Sequence, residues 1–227
     1  MAEYRYSLGS GADLEEAFAY FVENYIDPKG GETLSEALEF DPNNQELTVG
    51  FFKPFVKESL ESGLTVVARD PETNEIAGLR LSSYATAEDY IAKWKALLDM
   101  KFEYDKLTRC HGVFKEVWNR TGLPGRIQEW KSKKILAFFG LSVGVKHRHK
   151  GIAVKMNQLA LDEGRKAGCD TVVVMASGIA SQRAFEKVGL ERFLAVPYAD
   201  VKDEEGRQLV VPKNETKHMV CYWKKLL

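Results

Sequence analysis

The segment Leu141-Ser142-Val143-Gly144-Val145-Lys146-His147-Arg148-His149-Lys150-Gly151-Ile152-Ala153 joins an apolar run to a helical pattern through a basic turn of small residues. A helix start offers unpaired backbone N–H groups and the positive end of the helix dipole, a combination that binds phosphate. Gly151 and Ala153 lack bulk, so a pyrophosphate could approach the main chain, and Lys146, Arg148 and Lys150 add charge at the same point. The spacing is neither the G-x-x-x-x-G-K-[ST] of a P-loop nor the G-x-G-x-x-G of a dinucleotide fold. An ordinary strand-to-helix turn with a solvated basic face is the other reading.

Metal and disulfide chemistry find no support. Cys110, Cys169 and Cys221 are odd in number and far apart, which suits neither a disulfide framework nor a zinc site. The four histidines form no H-E-x-x-H pattern, so no metal is expected.

Arg148-His149-Lys150-Gly151-Ile152-Ala153 fits the [QR]-x-x-G-x-[GA] signature of the GCN5-related N-acetyltransferase (GNAT) superfamily, and the chain resembles that superfamily. Leu141-Ser142-Val143 stands where the fourth strand should precede the signature. Downstream, Ser181-Gln182-Arg183-Ala184-Phe185-Glu186-Lys187-Val188-Gly189-Leu190 is similar to the second cofactor-side helix and its K-x-G-[FL] stop. A narrower resemblance, over residues 135–218, is to the insect-type arylalkylamine (dopamine) N-acetyltransferases. It rests on Ser177, Ser181, Arg183, Glu186-Lys187-Val188-Gly189, Tyr198-Ala199-Asp200 and His218.

The resemblance implies an α/β (α+β) GNAT fold: a mixed central sheet flanked by helices, with splayed fourth and fifth strands. It implies acetyl-CoA as a substrate, held by Leu141, Val143, Arg148, His149, Lys150, Gly151, Ile152, Ala153, Ser181 and Arg183. The implied activity is acetyl transfer to the primary amine of a small molecule, an arylalkylamine such as dopamine, serotonin or tyramine. A polyamine or other aliphatic acceptor, and a non-catalytic acyl-CoA-binding module, are the alternatives. Four departures stand out: His149 and Gly178 replace a glycine and a serine, Val201 replaces a tyrosine, and Phe185 stands where many relatives carry a proton-donating tyrosine.

Such a reaction needs a deprotonation route, because an ammonium of pKa ~10.4 is only about one part in 10³ neutral at pH 7. The backbone N–H of Val143 is the candidate for the oxyanion. Ser181 lies one helical turn before Phe185, within reach of the CoA sulfur, and Ser177 could relay a proton to it. Glu32, in Glu32-Thr33-Leu34, is the nearest match to the glutamate of the subfamily's E-P-L element, with Glu36 and Glu39 as competitors. Other readings hold for the same residues. Ser177 would also serve as N-cap of a helix from Ile179, Ser181 as a surface residue of its first turn, and Glu32 as a helix-start carboxylate. His218 reads as a half-buried strand histidine or a catalytic one, and His147 and His149 as solvent-facing. Tyr90, Trp94, Phe102 and Trp118 read either as core or as a cap over the acceptor.

The elements that must position these residues are clearest in the last third. Strands are expected at residues 135–145 and 170–176, with the continuous Val172-Val173-Val174-Met175 typical of an interior strand, and at 193–198 and 219–223. Helices are expected at residues 151–167 and at 179–188, the latter closed by Gly189. Earlier, residues 1–62 read as helical pieces, one running from 47 to 62 with a kink at Pro54. A hairpin of strands follows at 64–68 and 75–81 around Asp70-Pro71-Glu72-Thr73-Asn74. Residues 85–118 read as two helices and 119–134 as a loop.

The chain has 227 residues, 32 basic and 33 acidic side chains, and a net charge of -1. One domain, 1–227, is expected: acceptor-side helices at 1–62, a helical insertion at 85–130 and an acetyl-CoA-binding core at 135–200. Residues 28–56 and 85–130 should choose the amine, an aromatic pocket favouring arylalkylamines and an acidic one polyamines. The balanced charge argues against a nucleic-acid partner, and no apolar run reaches the ~20 residues of a membrane span. Met1-Ala2-Glu3-Tyr4-Arg5 lacks a signal-peptide layout, so a cytoplasmic location is expected; a monomer or weak homodimer is the expected assembly.

Overall fold

The computed structural model describes residues 3–227; Met1 and Ala2, which open the stretch read for a signal peptide, lie outside it. Its strands are β1 (Arg5–Leu8), β2 (Val66–Arg69), β3 (Ile76–Thr86), β4 (Lys134–Val143), β5 (Thr171–Ala176), β6 (Glu191–Pro197) and β7 (His218–Lys225). Its helices are α1 (Leu14–Phe21), α2 (Thr33–Leu38), α3 (Lys53–Glu61), α4 (Ala87–Leu98), α5 (Asp105–Thr121), α6 (Leu123–Glu129), α7 (Ile152–Lys166) and α8 (Ile179–Lys187). The strands form one sheet in the order β1-β2-β3-β4-β5-β7-β6, antiparallel throughout except for β4–β5. A parallel pair needs a long crossover, and α7 supplies it.

Both faces of the sheet are covered. Along β2, Val67 packs into a core with α1, α2, α3 and α5, while Val66 and Ala68 pack into a second core with α7 and α8. A smaller cluster joins Tyr90, Trp118, Leu123 and Ile127 of α4, α5 and α6 to Ile135 and Val173. Among the described residues no helix is long and apolar enough to cross a membrane.

The N-terminal segment is not wholly helical. β1 pairs with β2, Arg5 opposite Arg69, as an edge strand whose side chains are largely exposed and whose alternation, Arg5-Tyr6-Ser7-Leu8, lasts only four residues. β3 runs past Leu81 to Thr86, so the following helix starts at Ala87, capped by the Thr86 hydroxyl. The expected loop at 119–134 contains α6, because Pro124 in a first helical turn needs no N–H partner. The expected kink at Pro54 is a change of winding. A π-helical segment, Glu46–Phe52, hands over to α3 with the proline in its first turn. A second π-helical segment, Val22–Ile26, continues α1 toward the site.

Candidate functional site

Pairing between β4 and β5 covers Ile135–Ala137 against Thr171–Val173 and then stops. Residues 138–143 and 174–176 diverge. On the other side β4 stays paired with β3, through an extra residue that lets Arg80 oppose Leu141 and Ser82 oppose Phe138. The N–H of Gly144 is bonded to Ala77 O on β3 at 3.0 Å. Backbone groups alternate along a strand, so the N–H groups of Leu141 and Val143 point away from β3 into the gap.

A cleft of about 550 Å³ fills that gap. One wall holds Leu141, Val143, Arg148, His149, Gly151, Ile152 and Ala153, and the other Ser177, Ser181, Arg183 and Phe185. The start of α7 faces it, with Gly151 at φ 78° and neither a capping side chain nor an acidic residue in the first turn. Those first N–H groups are therefore free to hold an anion. His149 has φ 62°, which explains why a glycine is the easier residue at that step.

The basic side chains are placed differently from the sequence expectation. Lys150 does not line the cleft; it is exposed and donates to Tyr4 Oη at 3.0 Å. Lys146 is also exposed and outside the lining. Arg148 lines the cleft but donates to Val143 O at 3.1 Å and to Gly30 O, tying the end of β4 to the loop that precedes Glu32. Arg183 stands at the rim, 3.2 Å from exposed Glu215.

Glu32 and Ser177, 145 positions apart, meet at the inner end of the cleft. Ser177 Oγ donates to Glu32 Oε1 at 2.5 Å. Glu32 Oε2 accepts from Leu34 N and Ser35 N, both at 2.8 Å, so the residue is also the N-cap of α2. Burial raises its carboxyl above the ordinary 4.5, against the lowering hydrogen bonds from Ser177, Ser35 and Leu34. Neither competitor shares this position. Glu36 meets Asn214 at an exposed edge, and Glu39 is ion-paired with Lys213 at the surface.

Ser177 does not cap α8: the cap position is Gly178, and Ile179 N donates to Thr216 Oγ1 at 3.1 Å. Ser181 Oγ donates to Gly178 O at 2.8 Å, so Ser177 sends its hydrogen to Glu32 and not to Ser181. His218 is an exposed residue at the start of β7 and lines neither cavity.

A second cavity, of about 130 Å³, lies on the other side of Glu32. Phe51, Phe52 and Phe55 from the 46–61 segment, Tyr90 and Trp94 from α4, His111 and Phe114 from α5 and Phe139 from β4 line it. Phe55 stacks on Phe139 at 4.5 Å. Of the aromatic series in 85–130, Tyr90 and Trp94 face this space. Trp118 backs Trp94 from the core, and Phe102 packs on Phe51 and His111. Glu58 and Lys93 also contribute to the lining, as an ion pair. The residues common to both cavities are Tyr25, Glu32, Phe139, Met175 and Ser177.

Two residues at the site, Tyr25 and Arg80, have no functional counterpart in the sequence reading, and Tyr198 entered it only as part of the resemblance. Tyr25 stands at the junction, Tyr198 Oη donates to Ser177 O at 2.7 Å, and Arg80 lines the cleft from β3. Arg80 had a visible signal: an arginine within Ile76-Ala77-Gly78-Leu79-Arg80-Leu81, an otherwise apolar strand.

No protein-family profile and no curated protein matches the chain. Solved structures do. Arylalkylamine N-acetyltransferase 2 from Aedes aegypti superposes with a TM-score of 0.83 at 19% identity, over 100% of each chain. The Drosophila melanogaster polyamine N-acetyltransferase that forms N-acetylagmatine gives 0.80 at 15% identity, over 98% of this chain and 100% of its own. The C-terminal condensation domain of Ebony, in complex with β-alanyl-dopamine, gives 0.69 at 15% identity, over 99% and 100%. The likeness is one of fold: this chain has the GNAT fold, an open mixed sheet whose one parallel pair is β4–β5.

Proposed function

We propose that the chain is an acetyl-CoA-dependent N-acetyltransferase acting on the primary amine of a small arylalkylamine, of the dopamine, serotonin or tyramine class. The observation that carries the reading is the Glu32–Ser177 pair, which stands where the strand gap meets an aromatic cavity. A cleft for one substrate and a cavity for the other, joined at a carboxylate, suit direct transfer in a ternary complex.

In this reading the pyrophosphate of acetyl-CoA lies on the free N–H groups of α7, and the pantetheine arm runs along Leu141 and Val143. The amine enters through the aromatic cavity. Its ammonium gives a proton to Glu32, directly or through a water, and the raised proton affinity of Glu32 suits a base. The freed nitrogen attacks the thioester carbon and sheds its second proton to water, the Val143 N–H takes the developing oxyanion, and the carbon–sulfur bond then breaks. Ser177 and Tyr198 hold Glu32 in place, and Ser181 supplies a wall hydroxyl beside the sulfur.

The mainly aromatic lining favours an aryl group over a polycation, since Glu58 is already neutralised by Lys93. A thiol-release assay against an amine panel tests the proposal. Arylalkylamines should exceed agmatine and spermidine in kcat/KM by about 10-fold or more, as discrimination of ~1.4 kcal/mol would give. The reverse preference would overturn the amine class. Binding of CoA without thiol release on any amine would leave an acyl-CoA-binding module in place of an enzyme.

A further inference from the structure

Among the described residues Arg80 is the only Lys, Arg, Asp or Glu removed from solvent, at 1% exposure. A lone buried charge is costly, and proteins normally pair it. Here Nε and Nη2 have no hydrogen-bond partner among the described residues. The guanidinium lies over Phe138, 3.9 Å from the ring centroid, with Phe185 at 5.4 Å. These contacts attract the cation but place no acceptor on its N–H groups. Burial pushes it down to about 9, opposed by the phenol of Tyr25, the ionisable group that faces it.

Placement gives the orphaned donors a direction. Phe138 is the first β4 residue beyond the last β4–β5 pair, so the cation sits where the strands part. It lines the same cleft as Ser181 and Phe185. Other cations of that lining are engaged or peripheral: Arg148 is bound to two carbonyls, Arg183 is exposed beside Glu215 and Lys187 is exposed at the end of α8.

We propose that Arg80 receives the leaving thiolate, its free Nε and Nη2 N–H groups facing the sulfur of bound acyl-CoA. The inference rests on the transfer reading above and names the group that stabilises its leaving group. The nitrogen–carbon bond forms, the carbon–sulfur bond breaks, and the electron pair stays on sulfur. The ammonium's first proton is on Glu32, the nitrogen sheds its second to water as the new bond forms, and the thiolate leaves paired with the guanidinium, taking a proton from water after release.

The test reads the thiol of bound CoA, without turnover. Thiolate absorbance is titrated for free CoA and for CoA bound to wild type, Arg80→Met and Arg80→Lys, with melting temperatures measured in parallel. In wild type the bound thiol should ionise about one pH unit or more below free CoA, because a neighbouring cation favours the anion. R80K should retain part of that shift and R80M none. R80M should melt no lower than wild type, since an apolar side chain relieves an unpaired buried charge. Equal thiol ionisation in wild type and R80M would overturn the assignment. A large melting loss in R80M with no wild-type thiol shift would make Arg80 a structural cation–π residue. No CoA binding by wild type overturns both this and the transfer reading. A lowered thiol value with no turnover on any amine removes the transfer reading alone.

Discussion

Glu32 combines two duties that substitutions can separate. Its carboxylate caps α2 and also accepts from Ser177. Glu32→Gln keeps an oxygen for the backbone N–H groups but removes the base, so kcat should fall by about 10²–10⁴-fold with little loss of melting temperature. Glu32→Ala should add a stability loss of ~1 kcal/mol from the missing cap. The pH profile gives the sign. Burial raises the folded carboxyl above 4.5, so the acidic limb of kcat/KM should lie above that value and vanish in E32Q. The folded state holds this proton more tightly than the unfolded chain. The stability it contributes is therefore present below the unfolded value and lost as pH rises through the folded one. The melting temperature of E32Q relative to wild type should accordingly improve from acid toward neutral pH. An acidic limb that survives in E32Q would place the base elsewhere. The residue was legible only through resemblance to the E-P-L glutamate. Its pairing with Ser177 was not, because a contact across 145 positions leaves no local periodicity or cap signal in the chain.

At the scale of elements, α8 meets α2 through Gly178. A Cβ there would come within 2.7 Å of Thr33 Oγ1, and Thr33 is buried beside Glu32. The departure from the subfamily's serine thus has a steric reason, since α2 lies too close to admit a side chain. Gly178→Ser should cost ~1–3 kcal/mol, lowering the melting temperature by roughly 2–10 °C. It should also reduce kcat by displacing α2 and its cap. A variant with wild-type melting and activity would show that the two helices part freely. Legibility follows burial at this scale. The β4-α7-β5-α8 run was readable from its apolar strands and from Gly189, whose φ of 74° stops α8. The edge strand β1 was not, because its alternation spans only four residues and its side chains are largely exposed. Nor was α6, where Gly122, Pro124 and Gly125 read as a loop although Gly122 closes α5 in the left-handed region and Pro124 falls in the first turn of α6.

For the whole molecule, residues from 28–56, 85–130 and the 135–200 segment line two cavities that share Glu32 and Ser177. Charge balance says little about such an arrangement, since one of the 32 basic side chains, Arg80, is buried inside. Composition gave no warning of it, because the total of 32 basic side chains is indifferent to where one of them is buried. On the proposed function, the separation of the cavities means that amine and acyl-CoA recognition can be altered independently. Phe55 lines only the aromatic cavity, and it is partly exposed, so truncation there spares the core. Its stack on Phe139 and its place beside Phe51 make it a wall for an aryl ring. Losing an aromatic contact of about 0.5–1.5 kcal/mol should raise KM for an arylalkylamine by about 2-fold to about 12-fold in Phe55→Ala. KM for acetyl-CoA should stay within about 2-fold, because the strand gap and the start of α7 are untouched. Agmatine, with no ring to stack, should lose less than the arylalkylamine, so the preference between them narrows. Steady-state kinetics with both amines at saturating acetyl-CoA measure this directly. An equal loss for both amines, or a matching rise in KM for acetyl-CoA, would mean that the aromatic cavity supports the fold and does not choose the acceptor.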